Sequence, residues 1–146
     1  MPDKDCHLAV ARRNQDLIDR LLNAGNSHPE WVAVIAFYEA LHIVDAVLFV
    51  DHPDKHGGNH DSRNRILKTT KRYQNLYYHY RPMFSASLVA RYLEADHHEH
   101  RCFADYMSAD RVVSTLLKHN LTQLQKSAEK LIGPIFPPSA PAVLPS

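Results

Sequence analysis

Residues 31 to 50, WVAVIAFYEALHIVDAVLFV, form a nearly continuous apolar run of twenty residues. A helix of that length spans ~30 Å, the thickness of the hydrocarbon layer of a bilayer. The run nevertheless carries Glu39, His42 and Asp45, and each would be costly in lipid. It therefore reads as the central helix of a soluble bundle with no membrane association. Trp31, Ile35, Tyr38, His42, Asp45 and Phe49 lie along one stripe of that helix, and Val34, Leu41, Val44 and Leu48 along another. With both faces apolar, its neighbours have to enclose it.

The rest of the chain supplies those neighbours. Leu8, Ala11, Gln15, Ile18 and Leu22 recur at three- and four-residue steps and predict a first helix over 7–23, stopped by Gly25. Pro29 and Glu30 suit the first turn of the second helix, which runs to about Phe49. DHPDKHGGN, residues 51–59, reads as a loop. Asn59 caps a third helix over 60–80, ended by Pro82. SASLVARYLEA, residues 85–95, predicts a short fourth helix, DHHEHR a polar turn, and 105–132 a last long helix. The expected fold is all-α: an antiparallel up-and-down bundle of four long helices plus one short helix. One domain covers 1–132. The tail over 133–146 holds five of the nine prolines and is expected to be extended or disordered.

Composition narrows the function. A formal net charge of +1 argues against a strong general attraction to nucleic acid, while leaving room for a local basic patch. MPDKDCHLAV has no apolar secretory core, and Cys6 and Cys102 form no Cys-x-x-Cys pair. Two unpaired thiols fit a reducing cytosol, so the expected location is cytoplasmic. No Gly-rich nucleotide loop and no Gly-x-Ser-x-Gly elbow is present, and no cofactor is expected.

Eleven histidines are many for 146 residues. HHEH at 97–100 is tempting as a metal site, but adjacent histidines point in different directions, whereas helical metal sites use an i, i+4 pair. His52, His56 and His60 have that spacing across Pro53, Gly57 and Gly58, which break a helix. No metal is expected at either place. His42 and Asp45 stand three apart on the apolar second helix, and His60 and Arg63 three apart where the third begins. A buried carboxylate needs a partner, and a guanidinium fits it bidentately. Consecutive helices pack side by side, so His42, Asp45, His60 and Arg63 are expected to form one polar cluster. That cluster is either a register-fixing clasp or a site. The helix start beside His60 and Arg63 would also suit a phosphate.

From Trp31 to Tyr92 the chain resembles the HEPN superfamily of helical bundles, in particular its poorly characterised prokaryotic members. The segments carrying the resemblance are WVAVIAFYEALHIVDA, HDSR, YQNLYYHY and SASLVARY. Within them, the matching residues include Trp31, Phe37-Tyr38, His42, His60-x-x-Arg63, Leu76-Tyr77, Ser87 and Arg91-Tyr92. Catalytic members are metal-independent endoribonucleases with an Arg, four to six residues and a His, often across a homodimer interface. The resemblance thus implies an RNA-acting protein of toxin or defence type, a homodimer, and a possible antitoxin. A histidine would exchange the 2′-hydroxyl proton and an arginine would stabilise the phosphorus oxygens. Arg91 with His97 or His98, and Arg72 with His79, meet the spacing; with ten arginines and eleven histidines, chance gives about as many matches. Tyr92 or Tyr73 follows the Arg where the catalytic pattern has a small polar residue. The candidate catalytic residues are His60, Arg63, Arg91 and His97, with His42, Asp45 and Tyr92 as polar or phosphate-binding neighbours. The competing reading is a non-catalytic HEPN-like bundle that binds a partner protein or nucleotide.

Overall fold

A computed structural model describes residues 2–54 and 58–136. Helix α1, Lys4–Asn23, begins before the first apolar residue because the Asp3 carboxylate accepts the Cys6 amide at 2.9 Å. It ends in a Schellman turn: Gly25 N–H bonds the Leu22 carbonyl and Asn26 N–H the Leu21 carbonyl. Gly25 sits at φ +103°, where a side chain would be strained.

Helix α2, Pro29–Asp51, lies at the centre of the bundle and buries residues around its whole circumference, from Val32 and Ala33 to Val47 and Leu48. It is the one helix among the described residues long and apolar enough to cross a membrane, and 78% of its apolar window is buried inside the bundle. Residues 55–57 of the following loop lie outside the described residues, and with them the His56 of the His52, His56, His60 series.

Helix α3, His60–Thr69, is capped by the Asn59 side chain, which accepts the Ser62 amide at 2.8 Å. The third helix ends earlier than its apolar pattern predicts. Thr70 turns extended, and a 3₁₀ turn, Lys71–Tyr73, leads into α4, Gln74–Tyr92. Asp51 at the end of α2 fixes this break by accepting from Tyr73 Oη and Arg72 Nε. Pro82, expected to stop a helix, lies inside α4. Proline removes only its bond to the carbonyl four residues earlier, and here that residue is the exposed Tyr78.

Leu93 at φ +60° closes α4, so the chain leaves the helix before Ala95. A small hairpin follows, with β1, Glu94–Ala95, paired to β2, His98–Glu99. Its two-residue turn, Asp96-His97, has both φ values positive, as a type I′ turn requires. Arg81 and Ser85 of α4 both bond the Asp96 carboxylate and hold the hairpin down.

After α5, Phe103–Tyr106, extended Met107 and the capping Ser108 delay the last long helix to Ala109. That rod runs through α6, Ala109–Arg111, a π segment, Val112–Leu121, and α7, Thr122–Ile132. Thr122 Oγ1 donates to the Leu117 carbonyl, five residues back, at 3.0 Å. The tail does not leave the bundle at once: Ile135 is buried, and Arg12 Nη2 donates to its carbonyl at 3.1 Å. Residues 137–146 of the expected extended tail lie outside the described residues.

The all-α bundle is thus built from α1, α2, α4 and the 109–132 rod, with short α3 beside them. The α2 and α4 helices run antiparallel: Asp51 meets Tyr73, and Tyr38 meets Arg91. Cys6 and Cys102 are both exposed and unpaired.

Candidate functional site

The first turns of α3 bring Arg63 against the middle of α2. Its Nε and Nη2 donate to the two Asp45 carboxylate oxygens at 2.8 and 3.1 Å. Both residues are almost sealed from solvent, at 4% and 3% exposure. Burial works against the guanidinium charge, but Asp45 more than offsets it, and Arg63 stays protonated. The Tyr80 hydroxyl of α4 is buried within electrostatic reach of this pair but outside hydrogen-bonding geometry, and burial pushes its pKa up to about 12.

His60 stands between this clasp and the surface. Its Nδ1 lies 3.4 Å from Arg63 Nη1, and its ring packs on Phe37 and Phe84 with centroids 5.8 and 5.6 Å away. Partial burial, then the charges of Arg63 and Arg91, hold the imidazole below its usual pKa. At neutral pH it is therefore uncharged, and because a guanidinium only donates, the ring's lone pair lies on Nδ1, facing Arg63.

Arg91, from the last turn of α4, completes the group. Its Nε and Nη2 donate to the Ser87 carbonyl and hydroxyl at 3.2 Å each, and its Nη1 reaches Tyr38 Oη at 3.4 Å. The guanidinium lies over Phe37, Tyr38 and Tyr92, with 6.0, 5.8 and 5.1 Å to the ring centroids. His60 and Arg91 thus approach the Phe37 ring from two different helices. Tyr92 and, on α2, Trp31 present largely exposed rings.

The other candidates lie elsewhere. His42 turns toward α1, where its Nδ1 sits 3.1 Å from His7 Nδ1. Two Nδ1 atoms at that distance need one donor and one acceptor. Burial, then His7, lowers the His42 pKa. His42 still feels Asp45 and Arg63 electrostatically, but its bonded partner is His7. His97 is exposed in the hairpin turn, and no described contact joins it to Arg91 or His60. Among the described residues, no three His, Cys, Asp or Glu side chains converge as a metal site.

Reading the sequence missed His7 and Phe84. His7 shares an inward face with Leu8, Ala11 and Ile18, so its helical position was the available signal. Phe84 follows Pro82, whose usual meaning is a helix end, so the sequence pattern assigns it to no helical face. No family model, curated protein or solved structure matches the chain.

Proposed function

We propose that this chain is a HEPN-like bundle that binds single-stranded RNA across the His60–Arg91 face and cleaves it without a metal. The observation carrying this reading is the approach of a neutral imidazole and a guanidinium, both half-buried, to one aromatic ring, Phe37. His60 Nδ1, once turned from Arg63 toward the substrate, takes the proton of a ribose 2′-hydroxyl, and O2′ attacks the adjacent phosphorus. Arg91 stabilises the charge growing on the non-bridging oxygens. The 5′-oxygen leaves with the proton returned from His60, giving a 2′,3′-cyclic phosphate and a 5′-hydroxyl. Tyr92 and Trp31 offer exposed rings on which bases can stack. Arg63 is committed to Asp45 and holds His60 in place.

A second reading has its own support. The closed Asp45–Arg63 clasp suits a non-catalytic bundle whose exposed aromatic face meets a partner protein or nucleotide. One experiment separates the two: single-stranded RNA incubated with the protein in EDTA, with His60→Ala and Arg91→Ala alongside. Cleavage to cyclic-phosphate ends that both substitutions abolish supports the nuclease. Binding without cleavage, weakened by Arg91→Ala, supports the second reading. Folded protein that neither binds nor cleaves rejects the nuclease and leaves a partner protein or free nucleotide as the occupant of the aromatic face.

A further inference from the structure

A second polar cluster lies on another face of α4. His79 and Arg91 are twelve residues apart, which turns their faces about 120° from each other. On the His79 side, α4 and α7 leave a groove of about 530 Å³. His79 and Asn75 of α4 line one wall, and Gln123, Lys126, Ser127, Glu129 and Lys130 of α7 the other.

Three observations mark this groove as more than a seam between helices. First, Lys126 and Lys130 are one turn apart on α7, and neither forms an ion pair among the described residues. Like charges at that spacing oppose helix formation unless an anion comes between them. Second, His79 Nδ1 is sealed from solvent without a hydrogen bond of good geometry, and the Asn120 side chain is the polar group that interacts with the ring. A buried polar atom left unpaired carries a real cost. Third, the ring is held edge-on against His119, with centroids 5.3 Å apart, and beside the buried Asn120. Both residues belong to the last turn of the π segment. Such widened turns recur at functional sites because they re-aim side chains.

We propose that the groove between α4 and α7 binds a small phosphate monoester, its phosphate held by Lys126 and Lys130 and its uncharged part turned toward Asn75, Gln123 and His79. Two ammonium groups match a dianion, and the amides with Ser127 offer donors and acceptors for hydroxyl groups. Glu129 also lines the groove and opposes an anion, so the two lysines have to outweigh it. The site is separate from the His60–Arg91 face.

The test is a titration of the full chain with ribose 5-phosphate and, separately, with ribose, following the ring resonances of His79 and His119 by NMR. The expected result is a saturable shift of both rings by the phosphate ester alone. A Lys126→Ala, Lys130→Ala variant should lose at least tenfold in affinity. Both lysines are exposed, so the fold should survive the change, and unchanged amide spectra elsewhere check it. No saturable shift, an equal response to ribose, or undiminished binding by the double variant overturns the proposal.

Discussion

Two buried acids in α2 face opposite fates. Asp45 has Arg63, with both oxygens bonded. Glu39 is fully buried; its Oε1 accepts from Gln125 at 3.1 Å, while Oε2 has no partner. Burial therefore raises the Glu39 pKa to about 8. An acid with a raised folded pKa keeps its proton in the native state after the unfolded chain has lost it. Stability should thus fall as pH rises from about 4.5 toward 8, by roughly 1.4 kcal/mol per unit at most, then level off. Glu39→Gln should flatten that slope and stabilise the protein at pH 8, as urea melts across the range will show. For Asp45, substitution by Asn leaves Arg63 buried without its counter-charge and should cost about 3–5 kcal/mol. Replacing both with leucine and methionine should cost much less, which a double-mutant cycle measures. His42 works in the acidic direction. Its folded pKa is depressed, so the stability it contributes is present above pH ~6.5 and is lost as pH falls below that. His42→Asn should blunt acid unfolding near pH 5–6, read by circular dichroism. The Asp45–Arg63 pairing was legible in the sequence because a carboxylate on an apolar helix demands a partner. The His7–His42 contact was not, since an imidazole tolerates either burial or exposure.

At the level of elements, apolar periodicity located α1, α2 and the final rod within a few residues. It failed at the junction of α3 and α4, where the decisive contacts are non-local. Asp51 bonds Tyr73 and Arg72 from twenty-odd residues away, and no local pattern encodes that. Proline is also a weaker stop than its chemistry suggests: the missing N–H is tolerated where the residue four back is exposed, as Tyr78 is. Pro82→Ala should restore that bond and raise stability by about 1–3 kcal/mol, visible as a higher Tm. The π segment had no signature in the sequence. Its register depends on Thr122 reaching back to Leu117, a choice among helical forms that composition does not express.

For the whole molecule, the enclosed α2 determines the architecture. Ala33, Ala36, Ala40 and Ala46 are fully buried on it, and their small side chains let neighbouring helices approach closely. Ala40→Leu should overpack that contact and cost about 1–3 kcal/mol or more in chemical denaturation. The bundle class followed from the twenty-residue apolar run, but the meeting of His60 with Arg91 required the three-dimensional arrangement. These residues are far apart in sequence and meet at the Phe37 ring. The docking of Ile135 against Arg12, with Lys4 Nζ on the Ile132 carbonyl, has one more consequence. It ties the first turns of α1 to the end of α7 and the residues just after it, so the two ends of the bundle's core chain lie along one flank and a linker of modest length can join them. A circularly permuted chain, sewn together there and cut open between Asp96 and His97, should fold to the same shape.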